Sequence, residues 1–295
     1  MVLAAAVLWG STGTAQSFAP PQLSSYWVGA LRLAVAGLFF AAWLLGTERR
    51  ALAPRALAAL PWRPIAAAGL CMTVYNLAFF AGVRASGVAV GTALALGSAP
   101  VWAGLLQWLR TGRSPAAAWW GGTALAVAGG ALMVLAPVAG GTGGTGLSAP
   151  GVALCLLAGM SYAIYAQVNQ HMVAASSAAA VTGAAFALAA LLALPVAWSL
   201  AGPPVLVGRD LLVVGWLGVM STGVAYLLLS HALRRIGSAT AVALSLGEPV
   251  TAFVLALLVV GERPGLAAYA GLGAVLLGLA MVVRAELAGA ASRLR

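Results

Sequence analysis

The acid–base chemistry of this sequence centres on the carboxyl group of Glu248, which lies deep inside an apolar stretch and directly precedes Pro249. A carboxyl group kept from water without a cationic partner holds its proton, so it can take up and release that proton as its surroundings change. Glu248 is therefore a candidate for proton coupling. In the alternative, a protonated Glu248 is structural and donates a hydrogen bond near the Pro249 kink.

The cationic chemistry belongs to arginine, because all 15 basic residues are Arg and Lys does not occur. The lack of Lys excludes Schiff-base and Ser/Lys mechanisms. Arg32 is the Arg that lies within an apolar stretch. Three roles are open for it: extending its guanidinium to the polar surface, pairing with a buried partner, or contacting the carboxylate of a bound molecule.

Patterns for other active sites are missing or incomplete. The chain has no HExxH zinc motif, and its only Asp, Asp210, is predicted in a loop. The segment from Gly159 to Tyr162 lacks the final Gly of a GxSG nucleophile motif. Cys71 and Cys155 fall in separate apolar stretches, which indicates neither a disulfide nor a metal site. We therefore expect no enzyme activity, no metal and no cofactor.

The composition indicates the elements that hold these residues. Of the 295 residues, 63% are hydrophobic and 7% are charged, and the mean hydropathy is +1.03. This excludes a soluble globular protein and predicts a polytopic, all-α membrane protein. A membrane span needs about 20 apolar residues. The apolar runs predict ten transmembrane helices, at 2–19, 25–46, 64–84, 87–108, 115–136, 149–171, 178–200, 211–233, 237–260 and 265–284.

The arginines of the short loops predict the orientation. With the N-terminus in the cytoplasm, eleven arginines lie inside and three outside, as the positive-inside rule requires. The inner ones are Arg49, Arg50, Arg55, Arg63, Arg110, Arg113, Arg234, Arg235, Arg284, Arg293 and Arg295, and the outer ones are Arg84, Arg209 and Arg263. We expect both termini in the cytoplasm and the protein in the cell inner membrane. Its net charge of +10 is explained by this topology, so no nucleic acid partner is expected.

The sequence contains an internal repeat. A shift of 150 residues places Gly87, Ala89, Ala93, Leu94, Leu96 and Gly97 on Gly237, Ala239, Ala243, Leu244, Leu246 and Gly247. After a one-residue slip, Pro100 falls on Pro249, Gly112 on Gly261 and Pro115 on Pro264. The predicted domains are a first five-helix repeat at 1–138, a flexible external Gly/Thr-rich linker at 139–148, and a second repeat at 149–295. Because five is odd, the second repeat is inverted, which favours alternating access to a midplane cavity.

The repeat also predicts which residues line that cavity. Pro100 and Pro249 interrupt helical hydrogen bonding near mid-membrane, so we assign them as hinges; they could alternatively only shape the packing. Neutral polar and aromatic side chains on the same faces are costly against lipid. The alternative for each is a hydrogen bond between helices. The candidate substrate-binding residues are Trp9, Thr12, Gln16, Tyr75, Asn76, Phe79, Ser98, Trp102, Ser161, Tyr165, Tyr226 and Ser245.

Such an interior suits a ligand with an apolar or aromatic body and a polar head. It suits a sugar phosphate poorly, because phosphate binding normally uses closely placed basic side chains. The expected partners are therefore a small-molecule substrate and membrane lipid. Small residues recurring on spans five and ten predict close packing, either within the fold or in a homodimer.

The two phased copies, each with a small-residue span, a proline and a tight Gly-Arg-Ser-Pro or Gly-Glu-Arg-Pro turn, resemble the EamA repeats of the drug/metabolite transporter (DMT) superfamily. The resemblance covers essentially the whole chain, and overall it is closest to the YddG aromatic amino-acid exporters. It implies a secondary transporter that exports small amphipathic metabolites, with aromatic amino acids as the expected substrates. A facilitator or exchanger for another metabolite or drug, or a passive channel, is the alternative.

Overall fold

The computed structural model describes residues 1–18, 23–86, 88–135, 148–206, 208–261 and 265–293, and this part of the chain is helical without a β-strand. The long helices are α1 (Val2–Ser17), α2 (Ser25–Thr47), α3 (Trp62–Ser86), α4 (Val88–Thr111), α5 (Ala117–Leu135), α6 (Ala149–Ala175), α7 (Ala178–Ala201), α8 (Gly208–Ala232), α9 (Ser238–Val259) and α10 (Leu266–Arg293). A 3₁₀ turn at Arg49–Leu52 and a helical turn at Pro54–Ala58 connect α2 to α3.

Within the described residues, seven helices are long and apolar enough to cross a membrane, and Val2–Thr12 and Ala117–Met133 are shorter apolar stretches. The chain is thus a multi-pass membrane protein. The number of ten spans and the position of the termini stay predictions. The linker predicted at 139–148 lies outside the described residues except for Ser148, so the domain boundaries also stay predictions.

Local sequence signals explain several helix ends. Ser148 and Ser177 cap α6 and α7, because their hydroxyls accept hydrogen bonds from the backbone N–H groups of Gly151 and Ala180. After α4 and α9 the backbone turns through left-handed glycines, Gly112 at φ +67° and Gly261 at φ +76°. These two glycines are equivalent in the sequence repeat, so both repeats end this helix in the same way.

The two halves of the chain are interlocked rather than side by side. Helix α1 of the first half packs on α8 and α9, and α6 of the second half packs on α3 and α4. Glycines allow the close approach in both places. A Cβ atom at Gly10 would lie 2.5 Å from Thr251 Cβ and 2.6 Å from the Glu248 carbonyl oxygen, and one at Gly159 would collide with Ser98 Oγ.

The small residues of α5 and α10 pack within the fold. A Cβ atom at Gly122 would lie 2.8 Å from the Gly278 carbonyl oxygen, and one at Gly278 would lie 2.5 Å from the Gly122 carbonyl oxygen. Gly129 and Gly271 make the same reciprocal contact. Of the two roles open for these stripes, internal packing is therefore the one that the structure shows.

Two helices depart from regular geometry. Helix α9 tightens into a 3₁₀ turn at Ser245–Gly247, just before Pro249, whereas α4 continues as an α-helix through Pro100. Helix α8 widens into a π-helical segment at Val219–Val224, where the Thr222 hydroxyl donates to the carbonyl of Leu217 at 2.7 Å. The loop position predicted for Asp210 is wrong, because this residue lies buried in the first turn of α8.

Candidate functional site

A cavity lies where helices of both halves meet in the middle of the bundle. Its volume is about 60 Å³, which is room for a few water molecules. Helices α1, α2, α3 and α4 of the first half and α6, α8 and α9 of the second contribute to its wall. The lining residues are Trp9, Thr12, Arg32, Tyr75, Asn76, Phe79, Ala95, Leu96, Ala99, Tyr162, Tyr226, Ser245, Leu246 and Glu248.

Five aromatic rings form one continuous part of this lining, which we call the aromatic wall: Trp9, Tyr75, Phe79, Tyr162 and Tyr226. The Trp9 ring meets Tyr226 edge-on at 5.3 Å between centroids and Tyr162 at 6.3 Å, and Tyr75 lies 5.6 Å from Tyr162. These separations are those of favourable aromatic pairs. The rings come from four different helices, so their mutual contacts fix the wall's shape.

Neutral polar groups face the same space. Asn76 is buried, and its Nδ2 atom donates to the Met72 carbonyl at 2.8 Å, which leaves Oδ1 as an acceptor for a ligand. Ser245 donates to the Val242 carbonyl at 2.6 Å at the 3₁₀ turn of α9. The Trp9 Nε1 atom is buried and has no hydrogen-bond partner among the described residues. The cavity therefore offers both donors and acceptors beside the aromatic rings.

Two side chains of opposite charge complete the lining. Arg32 reaches the cavity from α2 and Glu248 from α9. Arg32 is 8% exposed, and its Nε atom has no hydrogen-bond partner among the residues that the structure describes. No hydrogen bond or direct ion pair between the two is found among those residues, although they are close enough to interact electrostatically.

A glycine positions Arg32 against the second half. A Cβ atom at Gly218 in α8 would collide with Val35 and lie 3.2 Å from the Arg32 carbonyl oxygen. Gly218 immediately precedes the π-helical segment. Segments of this kind are often found at functional sites.

Beyond the cavity lies a buried polar cluster, two helical turns after Tyr162 on α6 and one turn after Tyr226 on α8. The Asn169 Nδ2 atom donates to Ser230 Oγ at 2.8 Å, and the Ser230 and Thr182 hydroxyls lie 2.7 Å apart. Tyr165, which is fully buried against Phe186 and Tyr226, separates this cluster from the cavity. The three polar residues join α6, α7 and α8.

Eight of the predicted substrate-binding and coupling residues come together in the cavity lining: Trp9, Thr12, Tyr75, Asn76, Phe79, Tyr226, Ser245 and Glu248. Four others, Ser98, Trp102, Ser161 and Tyr165, lie outside it. The Gln16 side chain lies outside the described residues. Substrate binding by any of them stays a prediction.

Three of the predicted residues outside the cavity lining are used in contacts between helices. Ser98 lies at the close contact of α4 with Gly159, and Ser161 and Tyr165 are buried between helices. The sequence interpretation missed Tyr162, although it lies one turn before Tyr165 and Ala166 and so shares their helix face. Helix α6 is apolar on most sides, so its sequence has no polar stripe to mark the face that lines the cavity.

A larger cavity, of about 370 Å³, lies between α1, α8 and α9 and is almost entirely apolar. Phe18, Leu212 and Trp216 in its lining are exposed at the surface of the bundle. An apolar opening on the outside of membrane helices faces acyl chains. The smaller, polar cavity is therefore the better candidate for a substrate site.

Comparison with protein families identifies the family of this chain. The sequence model of the EamA-like transporter family matches residues 1–135 and 149–284, which are the two halves of the chain. A Bacillus subtilis (strain 168) protein described as uncharacterized transporter YwfM is 33% identical over 283 residues, covering 95% of this chain and 92% of that protein. A solved crystal structure matches with a TM-score of 0.80 over 97% of this chain and 96% of its own, at 19% identity, which shows the fold alone.

Proposed function

The chain belongs to the EamA-like transporter family, and on that premise we propose that it is a secondary transporter that exports aromatic amino acids across the cell inner membrane. The family and the YwfM relative are transporters rather than enzymes. The proposed substrate combines an aromatic body with a polar head, as the resemblance to the YddG exporters implies.

The observation that carries the proposal is the composition of the central cavity. In the closed form described here the cavity has room for only a few water molecules, so it must widen to admit the substrate. The ring of the substrate then stacks on the aromatic wall, while Asn76, Thr12 and Ser245 offer hydrogen bonds to its head. A cavity that is mainly aromatic with a few polar groups is typical of sites for small amphipathic molecules.

The interlocked halves support alternating access. The cavity is lined by helices of both halves, so a rocking movement of one half against the other changes which side the cavity faces. The 3₁₀ turn before Pro249 gives α9 a place to bend without breaking further hydrogen bonds. Pro249 and Pro100 are the proposed hinges.

Glu248 is the proposed coupling residue. Glu248 lines the cavity and is not confined to a contact between helices. This position favours a role in transport over a purely structural hydrogen bond. With a pH gradient across the membrane, wild-type flux of saturating phenylalanine is expected to change, and Glu248→Gln is expected to remove that response. A wild-type protein that ignores the gradient would instead be an uncoupled facilitator or exchanger.

The test of the proposed function is uptake of radiolabelled phenylalanine, tyrosine and tryptophan into proteoliposomes. A carrier shows saturable uptake that unlabelled substrate on the opposite side accelerates. Trp9→Ala is expected to reduce uptake strongly, and Trp108→Ala, at an exposed Trp, serves as the matched control. Flux without saturation or counterflow would indicate a channel, and no movement of any aromatic amino acid would refute the proposed substrate.

A further inference from the structure

We infer that Arg32 and Glu248 bind the two charged ends of a zwitterionic α-amino acid, and that the aromatic wall holds its side chain. This inference rests on the proposed function and names the head group that the site selects. Arg32 binds the carboxylate and Glu248 binds the ammonium group.

The first argument is that the buried guanidinium group of Arg32 lacks a hydrogen-bond partner at Nε among the described residues. A buried guanidinium stays charged and is costly unless hydrogen bonds and an opposite charge compensate it. Arg32 is 8% exposed, its Nε atom has no partner among the described residues, and its side chain lines the cavity. A ligand carboxylate can form the two parallel hydrogen bonds that this planar group favours.

The second argument is the separation of the two charges. Arg32 comes from α2 in the first half and Glu248 from α9 in the second; both line the same cavity, and among the described residues no direct bond joins them. If the pair only neutralised each other, a direct ion pair would be expected. Two groups of opposite charge that line one cavity without bonding each other instead match a ligand that carries one charge of each sign.

The third argument is the exclusion of ligands with one kind of charge. Glu248 repels a phosphate or a dicarboxylate, and Arg32 repels an organic cation. A neutral ligand leaves both side chains without a hydrogen-bonded ionic partner in a site with little water. A zwitterion satisfies both, and the aromatic wall then contacts whatever side chain it bears.

The experiment compares three ligands that differ only in the head group: phenylalanine, phenethylamine, which lacks the carboxylate, and 3-phenylpropionate, which lacks the ammonium. Binding to purified protein is measured by competition with radiolabelled phenylalanine, without a pH gradient. Each missing charge-assisted contact is expected to weaken binding to wild type by about 10- to 100-fold.

The variants assign each end of the ligand. Arg32→Gln is expected to bind phenylalanine and phenethylamine about equally, and Glu248→Gln to bind phenylalanine and 3-phenylpropionate about equally. Where labelled phenylalanine binds too weakly to a variant, its ligand-induced thermal shift replaces the competition readout. Arg32→Lys keeps the charge and tests folding, and Arg84→Gln, at an exposed Arg, is the matched control.

The inference is overturned if wild type binds either one-charge analogue as tightly as phenylalanine, or if both Gln variants fold and lose all three ligands equally. It is separable from the proposed substrate. If leucine competes and phenylalanine does not, the proposal of an aromatic substrate fails. The same comparison with the leucine analogues isoamylamine and 4-methylpentanoate then still tests whether the site requires both charges of a zwitterion. Competition by uncharged metabolites alone would leave a transporter but overturn the inference.

Discussion

Tyr226 is the residue around which the aromatic side chains of this protein are organised. Its ring lies 5.3 Å from Trp9, 5.6 Å from Tyr165 and 4.7 Å from Phe186, so it connects the cavity to the buried core. The 150-residue shift of the repeat places Asn76, another residue of the cavity lining, on Tyr226.

The tyrosine that best tests ligand contact is Tyr75, because it is only partly buried and faces the cavity. Tyr75→Ala is expected to lower kcat/KM for phenylalanine about tenfold, since an aromatic contact contributes about 0.5–1.5 kcal/mol beyond its buried area. Tyr75→Phe keeps the ring and is expected to change kcat/KM less than threefold by the same reasoning. Equal losses in both variants, measured in proteoliposomes, would show that the hydroxyl rather than the ring matters.

The buried polar cluster beyond the cavity is expected to contribute to stability. Asn169→Ala removes the donor to Ser230 and leaves buried hydroxyls to re-pair, so we expect a loss of about 1–2 kcal/mol and a lower Tm. The measurement is thermal unfolding of the purified protein in detergent. Gln167→Ala, a partly buried residue of the same helix, is the control, and an unchanged Tm in Asn169→Ala would refute this role.

Among the helices, α1 and α9 make the contact on which the cavity most depends. Gly10 lets the α1 backbone approach Glu248 and Thr251, and its neighbour Trp9 thereby reaches the aromatic wall. A side chain at Gly10 must push the helices apart, because the nearest atoms are backbone and Cβ atoms that cannot rotate away.

Gly10→Val is therefore expected to destabilise the protein by about 1–3 kcal/mol and to reduce transport strongly, with Gly10→Ala intermediate. The control is Gly273→Val, because a Cβ atom at Gly273 in α10 would meet nothing within 4 Å. Thermal unfolding and phenylalanine uptake are measured for all three. Full activity of Gly10→Val would mean that the two helices are not held at this distance in the membrane.

The two proline-containing helices are expected to respond differently to the same substitution. Pro249→Ala allows α9 to continue as a regular helix, whereas α4 is already α-helical around Pro100. We expect Pro249→Ala to slow the turnover of phenylalanine more than its binding, and Pro100→Ala to have the smaller effect. The check is kcat and binding affinity measured separately; a larger effect at Pro100 would contradict the proposed hinge in α9.

Of the irregular segments in α9 and α8, the 3₁₀ turn in α9 is marked by a proline in the sequence and the π-helical segment in α8 is not. The 3₁₀ turn at Ser245–Gly247 lies where the sequence predicts an interruption, because Pro249 has no N–H group to donate to the carbonyl four residues before it, that of Ser245. The π-helical segment of α8 could not be predicted, because Thr222 donates to a carbonyl five residues back and no proline marks the place. A helix that is apolar on all sides has no amphipathic stripe, so its sequence does not predict which helices it contacts.

On the scale of the whole molecule, the most extensive helix contacts join the two halves of the chain: α5 packs on α10, and α3 packs on α6. The sequence indicated two copies, and the packing of α5 on α10 through equivalent glycines follows from the small-residue stripes. The exchange of α1 and α6 between halves was not predictable, because nothing in either helix distinguishes a partner in its own half from one in the other.

The orientation is open to a direct test. In a protein with Cys71 and Cys155 replaced by Ala, a membrane-impermeant maleimide added to right-side-out vesicles is expected to label Pro203→Cys and not Arg50→Cys, because the arginine distribution places residue 50 inside. Both positions are exposed. The reverse labelling would mean that the termini lie outside.

The exchange of first helices between the halves has a consequence for biosynthesis. Helix α1 leaves the ribosome before α2 to α10, and its partners α8 and α9 follow about 200 residues later. At about 5–20 residues per second, α1 waits in the bilayer for roughly 10 to 40 s before its partners are made. During that interval Trp9 and Thr12 have no cavity to face, so the nascent chain depends on the insertion machinery or on temporary neighbours to keep its first helix in place.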